Sequence, residues 1–542
     1  MPIPAGRTGL FPVGPTLPRA FAPGSSERAA ALAAVASVRS ESFDVPNLID
    51  GVEVRTGRTQ AIVTPHDHGG VLGLVHHGGA EQAQAAIDAA LTASRWWSRL
   101  PWEERAAPFL RAADLLEFGP WRERLNAATQ LELSKTNYQA EIDAACETID
   151  FIRFNVANML AMYDVQPGSL PGMWNSIEYR PLEGFVFAVT PFNFTCMNNL
   201  ALGPALLGNT VVWKPAESAS LVAHLTMELL TEAGLPDGVV NVVYGSGPEI
   251  GDVVLAHRDL AAVHFTGSTG TFQHIWKTVG ANIAGYKNYP RVVGETGGKD
   301  FILAHPSADA KALAVAAVRG SYEFQGQKCS ASSRMYVPRS LWPEVRERMI
   351  EMTESIVVGD PTNPETYVGA VINERQFRKH EKALAEARAQ GLVVVGGSTD
   401  DSTGWFVDPT VLEVFDPHSS FITEELFAPV LTTFVYDDAD WDSTLHLVDE
   451  STAYGLTGAV FAQDARAVAE ADDALRYSAG NFYVNDKPTG SVVGQQPFGG
   501  ARASGTNDKA GTVWNMIRFA SPRATKRNHL PATDYRYPHH QA

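Results

Sequence analysis

Phe185-Val186-Phe187-Ala188-Val189-Thr190 is a short apolar run that leads straight into Pro191. Similar runs recur every 20 to 30 residues, at Thr210 to Lys214, Val239 to Tyr244 and Ala261 to Phe265, with helical stretches between them. That alternation predicts βαβ units and a mainly parallel sheet, so the chain is α/β. On the N-terminal side, from Glu81 to Tyr163, the apolar period becomes helical. Ala83, Ala86, Ile87, Ala90 and Leu91 share one face, and Ile142, Ala145, Ile149, Ile152, Val156 and Leu160 share another, with Pro101 and Gly119-Pro120 dividing the run. On the C-terminal side a second series starts after Phe301. It has a helix-like stretch from Asp309 to Phe324, a strand-like Arg334 to Val337, and further alternation to Asn481-Phe482-Tyr483-Val484. Two α/β domains with a boundary near residue 300 are expected, followed by a glycine-rich loop from Thr489 to Gly511 and a terminal strand or tail.

Composition bounds what such a protein can do. The chain has 542 residues, 45% of them hydrophobic and 19% charged, enough for two or three domains with large cores. A net charge of −18 argues against nucleic acid or an anionic membrane as partner, because both require a basic surface. The alanine-rich stretch from Ala29 to Val38 is about half the length needed to span a bilayer. The first 26 residues contain six prolines and only two cations, Arg7 and Arg19, so they read as an extended arm rather than an amphipathic targeting helix. Three cysteines, Cys146, Cys196 and Cys329, cannot build a disulfide scaffold, so a reducing compartment is expected and each thiol is a candidate for reactivity.

Several short motifs stand where chemistry could occur. Phe265-Thr266-Gly267-Ser268-Thr269-Gly270 follows a predicted strand and opens a helix, a place where free amides and the helix dipole favour a pyrophosphate. Its spacing is not the full dinucleotide fingerprint, and a plain strand-to-helix turn reads as well. Lys214 and Glu217, at the end of another strand, offer a cation and a carboxylate to ribose hydroxyls, or merely a solvated strand end. Cys329 lies in polar Gln325-Gly326-Gln327-Lys328-Cys329-Ser330, a turn-like and accessible setting for a nucleophile, whereas Cys146 aligns with a core face and Cys196 is ambiguous. Glu295, in Gly294-Glu295-Thr296-Gly297-Gly298-Lys299, is a general base if its pKa is raised, or an exposed acid in a hinge. The histidine pairs His66/His68, His76-His77 and His539-His540 lack the ligand spacing of a metal site, so no metal is expected.

Taken in order, Pro191-Phe192-Asn193-Phe194, Lys214-Pro215-Ala216-Glu217, Phe265-Thr266-Gly267-Ser268, Glu295-Thr296-Gly297-Gly298-Lys299, Gly326-Gln327-Lys328-Cys329-Ser330 and Glu424-Glu425-Leu426-Phe427-Ala428-Pro429 resemble the aldehyde dehydrogenase superfamily from about residue 45 to 520. The segment Thr489 to Lys509 resembles one branch of it, the Δ1-pyrroline-5-carboxylate (L-glutamate γ-semialdehyde) dehydrogenases.

The resemblance implies a Rossmann-like NAD-binding domain over 41–160 and 183–300, and a catalytic domain over 301–490. A small oligomerisation flap would be built from 161–182 and 491–542, and 1–40 would form the N-terminal arm. It implies Cys329 as nucleophile, Asn193 as oxyanion donor and Glu295 as base, with Lys214, Glu217, Thr266, Gly267, Ser268, Glu425 and Phe427 on NAD. Ser330, Gly490 and Ser491 would hold the substrate's α-carboxylate with neutral donors, Phe194 and Phe498 would pack along its chain, and Lys328 and Glu147 would complete the pocket. The implied reaction oxidises L-glutamate 5-semialdehyde to L-glutamate in proline catabolism. The rivals are another ω-semialdehyde dehydrogenase, such as one for succinate semialdehyde, and a non-catalytic NAD-binding scaffold. The implied assembly is a homodimer or larger homo-oligomer, cytoplasmic in a bacterium or in the mitochondrial matrix of a eukaryote. Thr296, where the family commonly has leucine, and Ala428, where many relatives have glycine, are departures within the motifs.

Overall fold

The computed structural model describes residues 13–540, and the opening twelve residues of the expected arm lie outside them. A first sheet joins β1 (Asn47–Ile49), β2 (Val52–Val54), β3 (Phe185–Val189), β4 (Val211–Lys214), β5 (Val240–Val242), β6 (Leu260–Thr266) and β7 (Arg291–Glu295), of which β3 to β6 are the expected strands. Their order is β7-β6-β3-β4-β5-β1-β2. The five strands from β7 to β5 run parallel, and β1 is antiparallel to β5. Side chains alternate across this sheet, as a period of two requires. Phe185 and Phe187 enter one apolar core with Ile87 and Phe272, while Val186 and Ala188 enter another with Leu131 and Leu221.

The second sheet comprises β8 (Asp300–Ala304), β9 (Ser332–Pro338), β10 (Val393–Val395), β11 (Thr410–Val414), β12 (Val430–Tyr436), β13 (Thr457–Phe461) and β14 (Asn481–Val484). Its order is β10-β11-β12-β9-β8-β13-β14, parallel apart from β10. Phe301 and Leu303 face one core and Ile302 and Ala304 the other. Only Thr296 to Lys299 separates β7 from β8, which is where the domain boundary was expected.

The helices are α1 (Ser26–Ser40), α2 (Ala80–Trp97), α3 (Trp102–Phe118), α4 (Trp121–Leu133), α5 (Thr148–Tyr163), α6 (Thr269–Ala281) and α7 (Ala310–Tyr322), with shorter ones elsewhere. The described part of the expected extended arm, residues 13–25, is non-helical, and α1 begins where it ends: Ser25 caps α1 by accepting from the Arg28 amide, and Glu41 just beyond the helix pairs with Arg124 of α4 at 2.8 Å. One expectation needs correction here. The helix expected through residue 142 contains a π-helical segment, Glu141–Glu147. Its extra residue per turn slips the apolar register, so Ile142 and Leu160 are only half-buried while the carboxylates of Glu141 and Asp143 turn inward. Glu141 finds its partners in the Arg122 guanidinium and the Asn126 amide.

Met173–Pro181 pairs antiparallel with Ala520–Asn528 in a two-stranded ribbon, which keeps Trp174 about half-exposed. The segment between residues 489 and 511 forms loops and short bridges. One of them pairs Glu295 with Gly505, and another pairs Phe498 with Ala510.

Candidate active site

The carboxyl ends of the first sheet's parallel strands carry four of the expected groups, the edge where open α/β sheets bind ligands. Asn193 follows β3, Lys214 ends β4, Thr266 ends β6 and Glu295 ends β7. Asn193 is buried, and its Nδ2 donates to the Gln327 carbonyl at 3.0 Å, two residues ahead of Cys329. Lys214 is also buried, yet among the described residues its ammonium has a single acceptor, the Pro215 carbonyl at 3.2 Å. Glu217 is exposed nearby. Ser268 caps α6 by accepting from the Thr271 amide, and the Gly267 amide donates to the Glu295 carbonyl at 3.2 Å. A Cβ on Gly267 would stand 2.7 Å from the Phe265 ring, so the backbone there stays bare.

The second sheet offers the opposite edge, the loops that precede its strands. Cys329 lies three residues ahead of β9, after a turn in which Phe324, Gln325 and Gly326 all have left-handed φ of 51°, 55° and 64°. Such a turn persists only where surroundings enforce it. The Gln325 side chain donates to the carbonyls of Ser134 and Ala370, and the Gln327 Oε1 accepts from the Ile372 amide. A Cβ at Gly298 would collide with the Cys329 carbonyl at 2.2 Å, so glycine lets the two loops meet. Glu425 Oε1 accepts from the Gly298 amide at 2.9 Å, and the Phe427 φ of 62° turns its ring onto Phe192.

Electrostatics around the thiol disfavours its anion. Burial, followed by the carboxylates of Glu295, Asp300 and Glu425, pushes the Cys329 pKa well above that of an ordinary thiol. Cys329 as a residue is nonetheless partly exposed. Burial raises Glu295 to about 8, against the pull of the Lys509 ammonium, and its Oε1 is buried without a hydrogen-bond partner. A half-protonated carboxyl with a free oxygen beside a thiol is what a water-activating base needs.

Cys329 opens on a cavity of about 700 Å³. Glu147, Phe194, Lys328 and Ser330 line it on the thiol side, and Gly490, Ser491 and Phe498 line it on the side of the glycine-rich loop. Ser330 Oγ and Thr489 Oγ1 lie 2.8 Å apart. Glu147 sits in the π-helical segment, where the Cys196 thiol donates to its Oε2 at 3.0 Å, and burial raises its pKa to about 7. Cys146 and Cys196 are buried, which leaves Cys329 as the accessible thiol.

Residues 52–524 match the aldehyde dehydrogenase family. The chain belongs to that family. The Δ1-pyrroline-5-carboxylate dehydrogenase of Mycobacterium tuberculosis is 49% identical, with a TM-score of 0.94 over 98% of this chain and 99% of that one, and it has also been solved bound with NAD. The mitochondrial Δ1-pyrroline-5-carboxylate dehydrogenase of Dictyostelium discoideum is 45% identical over 95% of this chain and 93% of its own length. The human mitochondrial protein of that name is 45% identical over 96% and 93%.

The two mixed sheets are those of the aldehyde dehydrogenase fold. Its departures from the family pattern have local explanations. The Thr296 hydroxyl donates to the Ala503 carbonyl and its amide to the Ser504 carbonyl, which ties the base strand to the glycine-rich loop. The carbonyl of Ala428 lies where a Cβ on Gly326 would fall, 2.1 Å away, so the steric demand rests on Gly326.

Beside the expected Ser330, Gly490, Ser491 and Lys328, the structure brings a second lysine to the cavity. Lys487 Nζ donates to the Thr489 carbonyl at 2.8 Å and would lie 2.6 Å from a Cβ on Gly490. Lys328 pairs with Glu323 at 3.0 Å, and Lys487 stands 3.9 Å from the same carboxylate. Although burial opposes it, these two lysines hold Glu323 below its ordinary pKa. Lys509, whose ammonium donates to the carbonyls of Gly480 and Gly499, is a second cation that sequence reasoning left without a role. Both lie in or beside the glycine-rich segment, and a lysine directly ahead of Pro488-Thr489-Gly490 was the available signal. Among the described residues, no helix is long and apolar enough to cross a membrane.

Proposed function

We propose that this chain oxidises L-glutamate 5-semialdehyde, the open form of Δ1-pyrroline-5-carboxylate, to L-glutamate, with NAD as acceptor. The observation that carries the reading is the layout of the cavity. The Cys329 thiol shares the cavity with a cluster of Ser330, Thr489, Gly490, Ser491, Lys328 and Lys487 that supplies donors and positive charge. Such a cavity suits a short molecule with an aldehyde at one end and a carboxylate at the other. The names of the relatives point the same way.

In this reading Cys329 attacks the aldehyde carbon as its thiolate, which gives a tetrahedral thiohemiacetal. The Asn193 amide and the Cys329 backbone N–H donate to the developing oxyanion, each worth on the order of 3 kcal/mol in comparable sites. Bound NAD supplies the hydride acceptor. The residues present fit it: Lys214 is buried with one acceptor among the described residues, Glu217 offers a carboxylate to a ribose, and Thr266, Gly267 and Ser268 lead into the N-terminus of α6. Glu425 and Phe427 would hold its nicotinamide end against the thiol loop. A carboxylate at Glu217 disfavours the additional phosphate of NADP. The thioester left on Cys329 is hydrolysed by water that Glu295 deprotonates, which frees the thiol and releases the carboxylate. At the other end Ser330, Gly490 and Ser491 receive the α-carboxylate, with Lys328 and Lys487 adding charge, while Phe194 and Phe498 flank the methylenes.

We further propose that the ribbon of Met173–Pro181 and Ala520–Asn528 docks between copies of the chain in a homodimer or larger assembly. Such an enzyme would work in a reducing compartment, the cytoplasm of a bacterium or the matrix of a mitochondrion. A panel of aldehydes with NAD tests the assignment. The highest kcat/KM should belong to pyrroline-5-carboxylate. A higher value for succinate semialdehyde would move the substrate to another ω-semialdehyde, and no NADH from any aldehyde would leave only a scaffold.

A further inference from the structure

Lys135 is a buried cation to which the chemistry above gives no task. It is 1% exposed and lies just past α4, beside Ser134, whose φ of 56° ends that helix. Its Nζ is 2.7 Å from Asp143 Oδ2, and it lies 4.3 Å from the centre of the Phe194 ring and 4.4 Å from that of Phe324. Asp143 is one of the carboxylates that the π-helical segment turns inward. Besides Lys135 it accepts two successive backbone amides, Thr195 N on Oδ2 and Cys196 N on Oδ1, both at 2.9 Å.

These contacts bridge the two halves of the site. Phe194, Thr195 and Cys196 directly follow Asn193 on the first-sheet side. Phe324 opens the left-handed turn that leads to Cys329 on the second-sheet side. An ammonium between two ring faces is attracted by both, most strongly when water is excluded. A carboxylate that accepts two consecutive amides fixes the peptide planes on either side of Thr195, and thereby the direction from which the Asn193 side chain emerges. The turn after α4 supplies a parallel tie, since the Ser134 carbonyl accepts from the Gln325 side chain and the Ser134 Oγ from the Ala370 amide.

We infer that Lys135 and Asp143 form a positioning bracket that sets the Asn193 amide against Cys329. The oxyanion donor is thereby in place before any aldehyde arrives. The inference rests on the reading of Asn193 and Cys329 given above. The bracket acts at the reacting carbon, so it serves every aldehyde alike and takes no part in recognising the amino-acid end. An error of about 1 Å in such placement costs on the order of 100-fold in rate.

The test uses the full-length protein with NAD and two substrates, pyrroline-5-carboxylate and the short neutral aldehyde propanal. Lys135→Met keeps the stem between the rings and removes the charge. The single-turnover rate of NADH formation should fall about 100-fold with both substrates, with KM for each changing less than about threefold. Alkylation of Cys329 by iodoacetamide should keep its wild-type rate, and Lys135→Arg should recover activity to within about tenfold of wild type. Asp143→Asn should give the same pattern with a smaller loss, and it is judged by the same criteria if Lys135→Met does not fold. A loss confined to pyrroline-5-carboxylate would overturn the inference by making Lys135 a contact of the substrate's charged end. A parallel loss of Cys329 alkylation would overturn it in favour of collapse of the thiol loop, and unchanged rates would overturn it outright. Wild-type failure on pyrroline-5-carboxylate alone would count against the substrate reading, and the bracket would then be decided on propanal.

Discussion

The two sheets are built alike but face the site with opposite ends. The first presents the carboxyl ends of its strands, where Asn193, Lys214, Thr266 and Glu295 sit, and the second presents the loops ahead of its strands, where Cys329, Gly298 and Glu425 sit. At a carboxyl edge, free helix N-termini and small residues make a surface suited to an anionic cofactor. At the amino edge, the loops into β8, β9 and β12 are packed so tightly that Gly298 and Gly326 have no room for a Cβ. One edge is therefore a place to bind and the other a place to hold a nucleophile rigidly. The difference teaches that similar sheets divide the labour by polarity and not by composition.

That division can be broken on either side. The largest effect is expected for Cys329→Ala, which should abolish aldehyde oxidation, by about 10⁴-fold or more, while NAD affinity measured by calorimetry stays within about twofold. If oxidation survived, Cys196 would become the candidate nucleophile despite its burial. Next comes Glu295→Gln at the first edge, which should slow hydrolysis by on the order of 10² to 10⁴-fold and let the thioester accumulate, visible as a burst of one NADH per site. In the wild type the base must be ionised, and Glu295 has its pKa raised to about 8. The hydrolysis rate should accordingly rise with pH through about 8 and level off above it. Because the Lys509 ammonium pulls that pKa down, Lys509→Met should move the limb to higher pH, and a profile flat from pH 6 to 9 in the wild type would remove Glu295 as the base. The smallest effect belongs to Ser491→Ala, which removes one of several donors to the carboxylate. It should raise KM for pyrroline-5-carboxylate about three- to tenfold with kcat nearly unchanged, and leave propanal untouched.

Much of this arrangement was legible in the residues. Strands such as Phe185–Val189 and Asn481–Val484 were readable because apolar runs between helices leave little choice of structure. Cys329 was readable because a thiol among glycine, glutamine and lysine is out of place in a core. What stayed hidden depends on distance in sequence. Nothing local to Lys135 reveals Phe194 and Phe324, and nothing local to Lys487 reveals Glu323, because those contacts form only when separate elements close on one another. The π-helical segment was hidden for another reason. It occupies only seven residues of a long helical run, too few to stand out in the apolar pattern of the sequence but enough to bring Asp143 inward. The helix over Ser26–Ser40 was not foreseen, although the Ser25 hydroxyl and the run of alanines favour a capped helix.

The stitching of Thr296, Gly294 and Glu295 to Ala503, Ser504, Gly505 and Thr506 has an evolutionary consequence. In the proposed reading, the loop that would recognise the tail of the substrate is continuous with the segment that braces the strand carrying Glu295. A lineage changing its preferred aldehyde could not redraw residues 489–511 freely, since each revision there also perturbs the base. New specificities should therefore spread as paired changes in the two segments, and a loop transplanted without its partner strand should yield a protein that captures its aldehyde and stalls as the acylated thiol.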